Sequence, residues 1–372
     1  MAQEVYKAAG DPKLFPGQIK AGLRPWTPLK VYARVPTRAI SAKGIYDYAT
    51  GDYSPARFFD YVHGAWIQGL PSTQVEIPEG TYAPELGASY LQIARQGLGE
   101  QRSQHGGPTL PDPGPSNTPY HLYASRVPTP GAGGGQETSM FEGIDTSLEG
   151  IAALAPAADR ARLRPPLARI SRLVDQATAQ FVGAHPESIA PLLAQGLSAT
   201  EALIARVNAS PLPAAAKDDI NYELNIKRAQ FNDALTEALG LTVVARVVPA
   251  VNPRQSFGPR PTFTVAIPGQ HFKVDVHVSN AGNTPVALSQ LSLKSRDGEN
   301  WAITPEKTAV GSLPPSQAAD AVFEVAVPAD AGYTRPYYSR PSIEQPYYDI
   351  DQQKYLNRPN MPYPVAAWAQ FS

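Results

Sequence analysis

Apolar residues recur along this chain with one period after another, and the changes of period mark its organisation. Residues Ala2 to Ala9 have helical character and stop at Gly10, a glycine placed as C′. Asp11 to Pro28 carries four prolines and reads as turns. In LKVYARV, Leu29, Val31, Ala33 and Val35 alternate, which is the period of a strand. Tyr46 to Leu70 is rich in aromatics and glycine and fits no template, whereas Thr73 to Ile77 reads as a further short strand. Thr81 to Gln104 predicts a helix, with Pro84 in its first turn and Leu86, Tyr90, Ile93, Ala94 and Gly97 on one face. Gly106 to Gly135 is Pro/Gly-rich and ends in GAGGG. Its composition suits a linker, but Tyr120, His121, Leu122 and Tyr123 in its middle argue for a packed loop or strand.

From Ser147 to Gly240 the chain becomes Ala/Leu-rich and helix-periodic. Pro166 to Val182 offers Leu167, Ile170, Val174, Ala177 and Phe181; Pro186 to Ala209 offers Ile189, Leu192, Leu193, Leu203 and Val207. Ala214 to Leu239 places Ile220, Leu224, Lys227, Phe231, Leu235 and Leu239 on one stripe, with Gly240 as the stop. Short proline-containing joints imply antiparallel neighbours, hence a small bundle or helical layer. After Leu241 the period falls to two. LTVVARVV, TFTVAI (Thr262 to Ile267), FKVDVHVS (Phe272 to Ser279), VALSQLSLK and AVFEVAV (Ala321 to Val327) read as strands, and NAGNTP (Asn280 to Pro285) as a turn. Short strands separated by turns predict an immunoglobulin-like β-sandwich. The chain closes on WAQFS with no cap or polar tail, which reads as a strand cut short.

Composition narrows the chemistry. The net charge of -1, from 32 basic and 33 acidic residues, gives no electrostatic reason to expect nucleic acid. There is no cysteine, so disulfides, thiolate metal sites and cysteine nucleophiles are excluded. No apolar run approaches the roughly 18 residues of a membrane span, and no signal-peptide plan opens the chain. The 39 prolines, about twice average usage, predict long stiff loops.

A zinc hydrolase needs converging His or carboxylate ligands and a carboxylate to take the proton of bound water. The histidines are His63, His105, His121, His185, His271 and His277; no two are three or four residues apart, and no HxxH, HExxH or His-Pro-Asp-Asp sequence occurs. No G-x-S-x-G elbow is present, and GAGGG lacks the Lys-Ser/Thr of a phosphate loop. The densest polar cluster is GEQRSQHGG, Gly99 to Gly107. There Arg102 and His105 read either as substrate-binding groups at a cleft or as a solvated helix end complementing the dipole. Tyr333 to Ile350, YTRPYYSRPSIEQPYYDI, has five tyrosines and two arginines. It reads either as a sugar contact or as a proline-stiffened loop whose tyrosines cover the sandwich core, the second being favoured.

Four stretches carry a family resemblance: AQEVYKAAGDPKLFPGQIKAGLRPWTPLKVY; EIPEGTYAPELGASYLQIARQGLGEQRSQHGG; SMFEGIDTSLEGIA; and the sandwich with TRPYYSRPSIEQPYYDI. Together they resemble the rear portion of long bacterial PIG-L (LmbE-like) zinc-dependent N-deacetylases, after the second histidine motif. The sandwich is similar to a module attached to some bacterial glycoside hydrolases. The resemblance implies an α+β multidomain chain. Residues 1–140 would be a remnant of a Rossmann-like α/β deacetylase domain, 141–240 an α-helical region, and 241–372 a truncated immunoglobulin-like β-sandwich. It implies hydrolysis of N-acetyl groups on amino sugars or glycoconjugates, in the periplasm or outside the cell. The zinc belongs to the full-length family member, its ligands lying upstream of Met1, so no metal ligand and no catalytic residue is assigned in this chain and inactivity alone is expected. Only Arg102 and His105 carry over, as substrate-binding residues. The alternative is a non-catalytic cell-envelope or carbohydrate-binding module.

Overall fold

The structure, a computed structural model, describes the chain except residues 37–39, 42, 102–108, 249–264, 297–299, 309, 333–334, 357 and 359. It is a mixed α and β protein of two compact units, Met1–Thr146 and Ser147–Ser372.

The first unit contains helices α1 (Ala2–Ala8), α2 (Pro16–Lys20) and α3 (Tyr90–Gly99). Its strands are β1 (Lys30–Arg34), β2 (Ile40–Ser41), β3 (Gly44–Tyr46), β4 (Tyr53–Ser54), β5 (Arg57–Asp60), β6 (Ala65–Gln68), β7 (Val75–Pro78), β8 (Tyr82–Ala83), β9 (Ala88–Ser89) and β10 (Asn117–Ser125). The main sheet has the order β1-β10-β7 and is antiparallel, where a Rossmann-like layer is built on parallel strands. Its middle strand is β10, drawn from the Pro/Gly-rich stretch; Thr118, Leu122 and Tyr123 are buried there. One buried cluster joins Tyr6, Val31 and Tyr123, with Ala33, Val62, Ile67 and Ala124 packed against them, and Val35, Val75 and Leu122 are buried as well. Arg126 ties α1 to the sheet. Its guanidinium lies 3.8 Å from the centre of the Tyr6 ring and donates to the Tyr6 carbonyl at 2.8 Å.

The helix expected over Thr81–Gln104 is shorter. It begins at Tyr90, because Ser89 forms a capping box: its hydroxyl accepts the Gln92 N–H while the Gln92 side chain accepts the Ser89 N–H. Residues 82–89 instead form the β8–β9 hairpin, which Gly87 turns at φ +65°. The face expected to pack is open, with Leu86, Tyr90 and Ile93 all exposed.

The second unit contains α4 (Arg160–Gln180), α5 (Ala190–Ala209) and α6 (Ala214–Ala238). Most of the expected stripes are buried: Leu167, Ile170 and Ala177 on α4; Leu193, Leu203 and Val207 on α5; Ile220, Leu224 and Phe231 on α6. Helix α4 starts before the expected Pro166, adding buried Leu163, and ends before Phe181, which is exposed rather than packed. Where the sequence reading expects no apolar run of that length, Pro186–Ala209 is long and apolar enough to cross a membrane by length and composition; here it packs between α4 and α6. Gly240, at φ +64°, ends α6 and starts the sheets.

Those strands are β11 (Leu241–Val247), β12 (His271–Asn280), β13 (Val286–Ser295), β14 (Ala302–Lys307), β15 (Gly311–Leu313), β16 (Gln317–Ala326), β17 (Tyr338–Ser339), β18 (Asp349–Ile350) and β19 (Val365–Phe371). One antiparallel sheet has the order β11-β12-β16-β14 and a second β15-β13-β19. Along β12, Val274, Val276 and Val278 are buried and Lys273, Asp275 and His277 are not, as the alternation requires. Of the strand expected over Thr262–Ile267, residues 262–264 lie outside the described residues and Val265–Ile267 forms no strand. Helices and both sheets contribute to one buried cluster, from Leu167 and Leu224 to Val276, Leu291 and Val325. That shared core explains why residues 147–372 form one unit rather than separating at 240.

Candidate functional site

Arg102 and His105 lie outside the described residues, so the structure neither brings them together nor separates them. The described polar chemistry of the first unit gathers in two places.

The first is the hairpin formed by β5 and β6. Asp60 ends β5 and is buried; its Oδ1 accepts the N–H groups of Val62 at 2.8 Å and His63 at 3.1 Å. This Asx-type turn, closed by Gly64, folds His63 back so that its Nδ1 lies 2.6 Å from Asp60 Oδ2. Burial pushes the Asp60 carboxyl up. The hydrogen bonds from the His63 side chain and from the His63 and Val62 N–H groups, with the His63 charge, outweigh it and hold the carboxyl below its ordinary range. With Nδ1 turned to the carboxylate, the His63 ring leaves Nε2 on its other side, and the side chain is 61% exposed. Helix α1 pins the turn: the Gln3 side chain accepts the Tyr61 N–H at 2.6 Å and Lys7 donates to the Tyr61 carbonyl at 3.2 Å.

The same hairpin carries three aromatic rings. Phe59 and Trp66 are cross-strand partners with ring centres 5.2 Å apart, and Tyr61 meets the Phe59 edge at 4.8 Å. The Arg57 guanidinium lies 4.3 Å from the centre of the Trp66 ring. Tyr61 and Trp66 are each half exposed. The group combines open aromatic surface, a cation and an oriented imidazole, a set able to stack on a sugar ring and exchange hydrogen bonds with its substituents. None of this was readable in Tyr46–Leu70, where strands of two to four residues are too short to show a period. The one signal is D-Y-V-H-G itself, an Asp followed at the fourth position by glycine.

The second place is a closed polar network. Glu137 and Lys30, whose side chains are 0% and 3% exposed, pair at 3.0 Å. Tyr32 and Thr129 both donate to the Glu137 carboxylate, and Lys30 also lies 3.2 Å from the Tyr32 oxygen. The GAGGG segment explains itself here. A Cβ on Gly131 would fall 2.6 Å from the Glu137 carboxyl carbon and 2.9 Å from Leu122, so glycine lets the turn at Pro130–Gly133 close over the carboxylate. Burial, then the hydrogen bond to Glu137, then the charges of Glu137 and Glu142 push the Tyr32 hydroxyl upward. A raised value means that the folded chain keeps this proton while the unfolded chain releases it near pH 10. The stability Tyr32 contributes is complete below about pH 10 and is lost as pH rises above that. Urea midpoints taken from about pH 9 to 12 should fall, and Tyr32→Phe should make that fall shallower; parallel slopes would refute the assignment.

A zinc ion needs three or four converging donors. Among the described residues no three His, Asp or Glu side chains converge. His63 has Asp60, His185 has Glu187, His271 has Glu324 and His277 has Asp320, one carboxylate each, while His121 meets the Ser72 carbonyl. These donor sets do not fit the metal, and no step is derived through it.

The tyrosine-rich stretch divides in two. Tyr337 is buried, against Tyr355 from beyond the stretch, with its hydroxyl donating to the Arg358 carbonyl at 2.6 Å. Tyr347 and Tyr348 are exposed, and Arg340 lies 5.9 Å from the centre of the Tyr348 ring. Tyr333 lies outside the described residues. No family model matches the chain, and no curated protein matches it.

Proposed function

We propose that this chain serves a PIG-L-like N-deacetylation of amino sugars or glycoconjugates as its ligand-binding portion, in the periplasm or outside the cell. Hydrolysis itself belongs to a zinc site supplied by residues other than the described ones. The observation that carries the reading is the β5–β6 hairpin, where Trp66 and Tyr61 offer stacking surface beside Arg57 and an Asp60-oriented His63. The family resemblance supplies the ligand class: an N-acetyl sugar has an apolar ring face for Trp66 and an amide for His63. On the same resemblance, the two sheets of the second unit are an immunoglobulin-like module; the antiparallel β1-β10-β7 sheet of the first unit does not have the parallel strands of a Rossmann-like layer.

Calorimetric titration with N-acetylglucosamine oligomers tests the reading. Binding should weaken about tenfold or more in Trp66→Ala and clearly in His63→Ala. Wild-type protein that does not bind, or variants that bind as well as wild type, would overturn it. Acetate release from the same oligomers by the chain with added zinc would overturn the assignment of hydrolysis elsewhere.

A further inference from the structure

The helical layer of the second unit contains a hollow that the reading above does not use. It has a volume of about 350 Å³ and is walled by Val174, Ala177 and Phe181 of α4 and its end, Leu193 of α5, and Phe231 and Ala234 of α6. Small-molecule pockets occupy about 300–1,000 Å³, and this one stands at the lower end. The wall is apolar, and its floor is fixed: the Phe231 ring lies so close over Gly196 that a Cβ there would be 2.2 Å from it. At the rim Phe181 is 55% exposed, with Val182 next to it 53% exposed, so apolar surface continues outward from the hollow.

One cation breaks this wall. Lys227 falls on the apolar stripe of α6, between Leu224 and Phe231, where a lysine is out of place in a purely packed helix face. It is half-buried and lines the hollow. No carboxylate is among the lining residues, and Lys227 has no ion pair among the described residues. A lysine in this position lays its methylene stem along the apolar wall and keeps its ammonium at the water, so Lys227 sets one positive charge at the mouth of an apolar hollow.

We propose that the hollow binds a single-chain anionic amphiphile, its alkyl chain along Val174, Leu193 and Phe231 and its carboxylate on Lys227. The apolar walls favour a chain over a planar polar ligand. The lone cation selects a carboxylate head over an alcohol.

The test uses the full chain and calorimetry below micelle concentrations, with octanoate, decanoate and dodecanoate as probes and decanol as the uncharged control. Affinity should rise about three- to fourfold per added methylene. Decanoate should bind about tenfold more tightly than decanol, and Lys227→Met should abolish that preference while leaving decanol binding in place. Thr178→Phe, an exposed rim position, should block both ligands with an unchanged far-UV spectrum. Absence of binding, equal affinity for decanoate and decanol in wild type, or a preference that survives Lys227→Met would each overturn the proposal. A dimer that dissociates in Thr178→Phe would also overturn it, by identifying a second copy of the chain as the occupant.

Discussion

Glu137→Ala should destabilise the first unit by about 3–5 kcal/mol, the usual consequence of removing one partner from a buried ion pair. The physical reason is what remains. Lys30, with a side chain 3% exposed, would keep its charge with no carboxylate beside it, and the Tyr32 and Thr129 hydroxyls would lose their acceptor. Glu137→Gln should be only partly milder, since an amide keeps the shape but not the charge. Replacing the pair together, Lys30→Met with Glu137→Leu, should recover the part of the loss that comes from the unpaired Lys30 charge, while the Tyr32 and Thr129 hydroxyls still lack their acceptor. Hydrogen exchange in rising urea, read on peptides from β1 and β10, checks this within the first unit. A loss of protection smaller than about 1 kcal/mol in Glu137→Ala would refute the account.

The second large effect is expected at Asn280. Its side chain is buried and makes three hydrogen bonds: Nδ2 donates to the Thr284 carbonyl at 2.8 Å and the Leu313 carbonyl at 3.1 Å, and Oδ1 accepts the Gly282 N–H at 3.0 Å. Asn280 ends β12 of the four-stranded sheet, whereas Leu313 belongs to β15 of the other sheet, so this amide bonds one sheet to the other. It also shapes the turn that meets the end of α6, where the Ala281 N–H donates to the Gly240 carbonyl at 2.9 Å. Asn280→Ala leaves two carbonyls and one N–H without these partners and should cost about 3 kcal/mol, near 1 kcal/mol for each. Asn280→Asp should cost at least as much, because a carboxylate cannot donate to either carbonyl. Urea unfolding followed by far-UV circular dichroism would measure both, and a change under about 1 kcal/mol in either variant would count against the tie between the sheets.

Long periodic segments carried their structure in the sequence. The stripes through Ile170, Leu203 and Leu224 and the alternation from Phe272 to Val278 match the buried faces of α4, α5, α6 and β12. What failed was local. Ser89 and Gln92 spell a capping box, but apolar spacing that ran back to Leu86 drew the helix too far towards its start. The β5–β6 hairpin was opaque because its strands have four residues each. Lys30 and Glu137 are 107 positions apart, and no local pattern announces that a lysine in one strand will meet a glutamate beyond GAGGG. NAGNTP was legible as a turn, but the bond from Asn280 to Leu313 depends on which strand the second sheet brings opposite. The chosen site residues, Arg102 and His105, lie outside the described residues, whereas the oriented histidine that the structure offers is His63.

The small core of the first unit has a thermal consequence. Among the described residues of this unit, Tyr6, Val31 and Tyr123 with Val35, Val75 and Leu122 are the large buried apolar side chains, while Phe15, Trp26, Tyr48, Trp66, Leu86 and Tyr90 are already in contact with solvent when the unit is folded. Unfolding therefore newly hydrates little apolar surface, and apolar hydration is what raises the heat capacity of an unfolding chain. The heat-capacity increment of this unit should fall below the customary ~12–15 cal/mol/K per residue, and its stability should vary with temperature along a shallow rather than a sharply domed curve.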